Sequence, residues 1–254
     1  MNKAFNTVPS LRSPYGCVKK ALSVMLVSSL AIFSHCALAS DQTSNKPSVT
    51  QVIDTKAIYA QAINDFFAGR NREAQKGYER LGNTEYAAIS AVPAAVNLVA
   101  LGQYSEAQKA FANIKNSSSV RDREYAQLWD LWLTAKQWKG SDKELNKELK
   151  RLVYSQTWHL PFEKSIAGLY AGRETVDSVF SAVSAFNADA AQQQDARAEA
   201  TFFAGGYLQN VKHNSASAKQ LFNDNLSKLN SVSLERPFID RECASLNKLT
   251  HQSK

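Results

Sequence analysis

Past residue 39 the chain carries three histidines, His159, His213 and His251, and a single cysteine, Cys243. They stand far apart, with no HExxH pair, no paired cysteines and no spacing that would bring two metal ligands onto one helix face. There is no Gly-x-Ser-x-Gly turn to expose a serine nucleophile and no glycine loop to cradle a phosphate. Gly205-Gly206 is followed by Tyr207 and reads as a site of tight helix packing. Glu163 and Glu174 can approach each other across a helix pair, but carboxylates on helix faces are ordinarily solvated. The residue set points away from catalysis and implies neither metal nor cofactor.

Binding is the better-supported chemistry. Gln61, Asn64, Asp65 and Asn97 are polar residues on helices whose neighbours are apolar, and they are the candidate partner-binding set together with Trp138. Asn97 is embedded in AAVNLVAL, where an amide without a partner costs about 1–3 kcal/mol, so it either caps a neighbouring backbone group or faces a ligand. Trp129 and Trp132 can share a face, and Trp132 reads as core. Trp138 lies at a helix end between Lys136 and Lys139 and reads equally as core or as an interface anchor. Lys143, Lys147, Lys150 and Arg151 interleave with Glu144 and Glu148 at helical spacing, which describes a solvated face rather than an anion site.

The elements that position these residues are helices. Ile58, Ala62, Ile63 and Phe66 recur at three and four; Gly69 ends that helix, and a second carries Glu73, Ala74, Gly77, Tyr78 and Leu81. The next pair runs from Glu85 to Leu101 and from Ser105 to Ile114. Pro93 stands where a helix can restart or kink inside its first member, with Tyr86–Val92 as one turn and Ala94 as the start of another in the case of a restart. Further helices are expected over Arg121–Trp138, Glu144–Val153, Phe162–Tyr170 and Glu174–Phe186. One more pair is expected around Ala200–Tyr207 and Ala216–Phe222, and a capping helix over Arg236–Leu249.

One pattern occurs twice, 33 residues apart: Gly69-Arg70-Asn71-Arg72-Glu73-Ala74 with Tyr78, then Gly102-Gln103-Tyr104-Ser105-Glu106-Ala107 with Phe111. A period in the low thirties denotes helix pairs that bury their apolar faces only by stacking. The two units resemble tetratricopeptide repeats. The turn glycine, following aromatic, small alanine, later aromatic and closing apolar residue fall at Gly69, Asn71, Ala74, Tyr78 and Leu81, and again at Gly102, Tyr104, Ala107, Phe111 and Ile114. Asn71 departs from the aromatic. In a third candidate unit, Ala218 and Phe222 keep the spacing and His213 replaces the turn glycine. The expected fold is all-α, a tetratricopeptide-like helical hairpin array forming a short α-solenoid.

The order of these units, with the Leu128-Trp129-Asp130-Leu131-Trp132 helix, Trp158 and Leu169-Tyr170-Ala171-Gly172 between them, resembles the small outer-membrane tetratricopeptide lipoproteins of Gram-negative bacteria. Those act as adaptors for a periplasmic tail-specific protease and for cell-wall hydrolases. The resemblance implies a non-enzymatic homodimer that holds a protein or peptide partner, with a periplasmic protease or cell-wall hydrolase as the partner class. The alternative in the same compartment is a chaperone or assembly factor for secretion or surface appendages.

The leader supports export. Lys3, Arg12, Lys19 and Lys20 precede an apolar run from Ala21 to Phe33, and Ala37-Leu38-Ala39 supplies the small residues for cleavage before Ser40. Residues 1–39 are therefore expected to be a signal peptide, 40–51 a flexible tail, and 52–254 a single helical domain in the periplasm, with no integral membrane span after cleavage. His35 in front of Cys36 argues against a lipid anchor. The leader holds four of the seven net positive charges and no acid, leaving about +3, which gives no support for nucleic acid. Cys243, left alone by cleavage, is expected to be a buried small hydrophobe.

Overall fold

Apolar residues spaced at three and four along most of the chain give helix after helix. The structure, a computed structural model, describes residues 54–252, with side-chain surroundings through residue 245. The expected signal peptide, its cleavage site, Cys36 and the tail over 40–51 lie outside the described residues.

Among the described residues there are eleven α-helices and no strand. They are α1 Thr55–Phe67, α2 Asn71–Leu81, α3 Ala87–Ala100, α4 Tyr104–Ile114, α5 Val120–Gln137, α6 Asp142–Tyr154, α7 Pro161–Tyr170, α8 Val176–Ala185, α9 Ala190–Asn210, α10 Ser215–Asn225 and α11 Arg236–Gln252. Each packs on its neighbours in chain order, the arrangement of a short helical-repeat array.

The helix starts are written locally. Ser141 and Glu144 form a reciprocal capping box at α6, as do Thr175 with Ser178 at α8 and Asp189 with Gln192 at α9. Each satisfies N–H groups that a helix start leaves without intrahelical partners. The turns inside the pairs need a left-handed residue. Gly69 and Gly102 both have φ +74° and Gly172 has φ +71°, while His213 takes the same role with φ 51°. The substitution of His213 for a turn glycine is thus seen directly in the backbone.

Pro93 does not break α3, which runs unbroken from Ala87 to Ala100 with Pro93 inside it. An interior proline costs about 3 kcal/mol through a lost hydrogen bond and a clash. The buried Val92, Val96 and Val99 of the same helix each contribute about 1.5–3 kcal/mol by leaving water, which outweighs that cost. Helix α9 is also longer than its apolar face suggests, starting at Ala190 and buried continuously from Ala198 to Tyr207.

The stack is not a simple row. α5 packs on α7 and α9 as well as on its chain neighbours, and α7 packs on α9. At the centre Trp129 is fully buried and meets six rings: Phe111 stacked at 5.5 Å, with Tyr125, Trp132, Phe202, Phe203 and Phe238 around it. Phe238 of α11 also reaches Phe66 of α1, centroid to centroid 6.4 Å. The C-terminal helix therefore packs back among helices from the beginning, middle and end of the array.

Two glycines make these contacts possible. A Cβ on Gly205 would lie 2.2 Å from the ring of Phe222, and one on Gly206 would lie 2.4 Å from Nε1 of Trp132. Any side chain there would push α9 off α10 or off α5. Cys243 is buried and free, and burial pushes its thiol up, consistent with a structural role.

Candidate functional site

The residues marked by sequence divide into separate places. Gln61 and Asp65 stand one turn apart on α1. The Asp65 carboxylate accepts from Gln61 Nε2 at 3.0 Å and from Arg70 Nε at 2.7 Å, while the Arg70 backbone N–H donates to the Asp65 carbonyl at 2.8 Å. The hydrogen bond from Gln61, reinforced by the Arg70 guanidinium against the cost of burial, holds the Asp65 carboxyl below the usual range. This group locks the α1–α2 turn. Asn64, on the same helix, is exposed.

Asn97 is fully buried in the seam between α2 and α3. Its Nδ2 donates to the Asn71 carbonyl at 2.9 Å and to Gln75 Oε1 at 3.2 Å. Its Nδ2 thus caps a neighbouring backbone group, while its Oδ1 is buried with no hydrogen-bond partner among the described residues. Trp138 sits at the far end of α5, half-buried, its indole N–H donating to the Ser141 carbonyl at 3.1 Å beside the start of α6. The five residues thus do not form one surface.

Glu163 does not pair with Glu174. It is fully buried on α7 and meets Arg121 of α5, which also bonds Glu199 of α9. Burial pushes the Glu163 carboxyl up, opposed by the Arg121 guanidinium. The second oxygens of Glu163 and Glu199 have no hydrogen-bond partner among the described residues, so two buried carboxylates share one cation. Arg121 lies over the rings of Tyr125 and Phe162, and the Tyr125 hydroxyl donates to Glu235, the residue before α11. Burial pushes the Glu235 carboxyl up to about 7. Glu124, also buried, accepts from the backbone N–H groups of His159 at 2.6 Å and Leu160 at 3.0 Å and so caps the approach to α7. These acids join α5, α7, α9 and α11.

The sequence reading does not mark Arg121, Glu199 or Glu235. A signal for one is present. Glu199 lies in ARAEATFFAGGY, a lone acid within a small and aromatic run, which calls for a buried partner. Nothing local identifies that partner as Arg121, 78 residues earlier.

The surface feature best suited to binding is a cleft of about 300 Å³ where the end of α3 and the start of α4 face α5, α9 and α11. Its aromatic part comprises Trp132 and Phe202, stacked at 5.4 Å, with Tyr104 edge-on to Trp132 at 6.3 Å and Phe238 5.4 Å from Phe202; Trp132, Phe202 and Phe238 are buried and Tyr104 is partly exposed. Lys136 and Arg241 stand at it, both exposed, with Lys136 Nζ 5.9 Å from the Trp132 ring centre and Arg241 Cζ 5.1 Å from that of Phe238. Glu242 is the acid of the lining, and it accepts from Gln209 at 3.0 Å.

A second groove, of about 400 Å³, lies between α7 and α8 and is lined by Lys164, Arg173, Glu174 and Ser178. It lacks an aromatic floor, and Arg173 is drawn over Tyr154 at 4.9 Å.

Among the described residues no group of three or more histidine, cysteine or acidic side chains is arranged to hold a metal ion, and no helix is long and apolar enough to cross a membrane. No family model matches the chain. A search of curated proteins finds no significant match either.

Proposed function

We propose that this chain is an exported, non-catalytic periplasmic adaptor of tetratricopeptide type that presents its helical-repeat surface to a protein or peptide partner, with a protease or cell-wall hydrolase as the partner class. The observation that carries the reading is the aromatic cleft at Trp132 and Phe202, which joins five helices of the array and holds two exposed cations at its edge. Aromatic rings held rigid by packing, with charge at the rim, are the anchors that protein interfaces use. The export half rests on the basic leader, apolar run and Ala37-Leu38-Ala39, and the tetratricopeptide half on the repeated spacing and on the left-handed backbone at Gly69 and Gly102.

Glu163, one of the two carboxylates that the sequence allows to approach each other, holds α7 to α5 through Arg121. That commitment favours scaffold over enzyme.

Crosslinking in intact cells, followed by capture of the protein from periplasmic extract and mass identification, tests the reading. An adaptor brings down a protease or wall enzyme together with a second folded protein. Recovery of one secretion or appendage subunit alone would favour a chaperone. Recovery of the protein only from the cytoplasm would overturn the export claim.

A further inference from the structure

We infer that the cleft between α3, α5, α9 and α11 takes an acidic segment of peptide, with a carboxylate between Lys136 and Arg241 and an apolar side chain against the partly exposed Tyr104. This deepens the adaptor reading above and rests on it.

Charge complementarity selects the occupant. Neither Lys136 nor Arg241 makes an ion pair among the described residues, and each instead stands over an aromatic ring of the cleft. Glu242 accepts from the neutral Gln209 amide and keeps its charge, so the lining sets two cations against one acid and is net positive. A cation over a ring face keeps most of its capacity to donate to an anion, because the ring supplies no hydrogen-bond acceptor of its own.

Ala100 and Leu101 belong to the cleft lining, and while the carbonyls of Asn97, Leu98 and Val99 receive the N–H groups of Leu101, Gln103 and Gly102, those of Ala100 and Leu101 accept no backbone hydrogen bond across the turn among the described residues. An extended peptide brings N–H donors for such carbonyls, a carboxylate for the cations and a side chain for the Tyr104 ring. A bare phosphate uses only the cations. The volume, about 300 Å³, suits one or two side chains of a segment and not the flat face of a folded domain.

The floor is fixed before any ligand arrives. Trp132 rests against the bare backbone of Gly206, and Phe202 is wedged between Trp129, Trp132 and Phe238. Rings held in this way lose little freedom on binding.

The test is fluorescence anisotropy of the whole protein with a short fluorescein-labelled peptide of alternating glutamate and leucine, against the same peptide with glutamine for glutamate. ATP and inorganic polyphosphate serve as competitors. The double variant Lys136→Glu with Arg241→Glu changes two exposed side chains, and circular dichroism checks that it folds. Saturable binding to the glutamate peptide is expected, weakened about tenfold or more by glutamine, by the double variant and by raised salt. Equal binding of the two peptides, binding that survives the double variant, or no saturable binding would overturn the inference. Binding of ATP with inert peptides would assign the cleft to a nucleotide and overturn it as well. If the double variant still captures the same periplasmic partners as the native protein, the adaptor reading stands and this cleft is not its site. If the native protein captures none, the adaptor reading itself falls.

Discussion

The side-chain amide of Asn97 donates to the backbone carbonyl of Asn71 across 2.9 Å, tying α3 to the first turn of α2. Asn71 occupies the position at which the second unit carries Tyr104, and Tyr104 packs on Trp132 instead. The two units thus fill equivalent places by different means, one with a buried amide and one with a ring.

Asn97→Ala should lower the unfolding free energy by about 1–2 kcal/mol, the cost of losing buried hydrogen bonds and their packing. Gln61→Ala, which removes one of the side-chain hydrogen bonds to Asp65 from an exposed position, should cost about 0.5–1.5 kcal/mol. Urea denaturation checks both. Loss of partner capture by folded Asn97→Ala protein, with stability unchanged, would return Asn97 to the binding surface.

Removing Arg121 strands two buried carboxylates. Arg121→Met should cost about 3 kcal/mol, at the low end for a buried pair because the Arg121 side chain is 42% exposed and water already screens it. Adding Glu163→Gln in that background should restore part of the loss, since one uncompensated charge is gone. A double variant no more stable than the single would show that the three groups are not coupled.

The pH dependence has a definite sign. The Glu235 carboxyl is pushed from an ordinary value of 4.5 up to about 7 by burial, so the folded protein holds a proton that the unfolded chain releases. The stabilisation from that proton is complete below about pH 4.5 and is lost as pH rises through about 7. Glu163, also raised by burial, acts in the same direction. Stability by urea unfolding should therefore fall between pH 5 and pH 8. Glu235→Gln should flatten the fall without abolishing it, and an unchanged slope in that variant would remove Glu235 as the source.

His213 holds a left-handed backbone that glycine adopts without strain. That conformation costs a non-glycine residue about 1–2 kcal/mol, while glycine adds about 0.5–1 kcal/mol of unfolded-state entropy to be lost. The contact of His213 Nε2 with Asp142 at 3.0 Å is exposed and adds little. His213→Gly should raise the thermal midpoint by about 2 °C. A lower midpoint would show that the contact with Asp142 outweighs the backbone strain.

Much of this architecture is local and therefore present in the sequence. The three- and four-residue spacing of Ala62 and Phe66, the turn glycines at 69 and 102, and the Ala74–Tyr78 and Ala107–Phe111 pairs each depend on residues within one or two helical turns. So do the cap at Ser141 and the exposed face of α6. Even the replacement of a turn glycine by His213 is legible, because a fixed spacing marks the place whatever residue stands there.

What remained for the tertiary structure is whatever joins residues far apart in the chain. Pro93 reads locally as a restart or kink, and only the burial of Val92, Val96 and Val99 against other helices keeps α3 whole. Asn97 caps a carbonyl because Asn71 is opposite it, and Glu163 is tied into the fold because Arg121, 42 residues before it, reaches it while also holding Glu199. The cleft at Trp132 takes its walls from α3, α4, α9 and α11, whose sequences share no signal of meeting there. Spacing along a chain fixes which face of a helix is apolar; it carries no information about which distant helix will cover that face, and that choice is made by packing and by the pairing of buried charge.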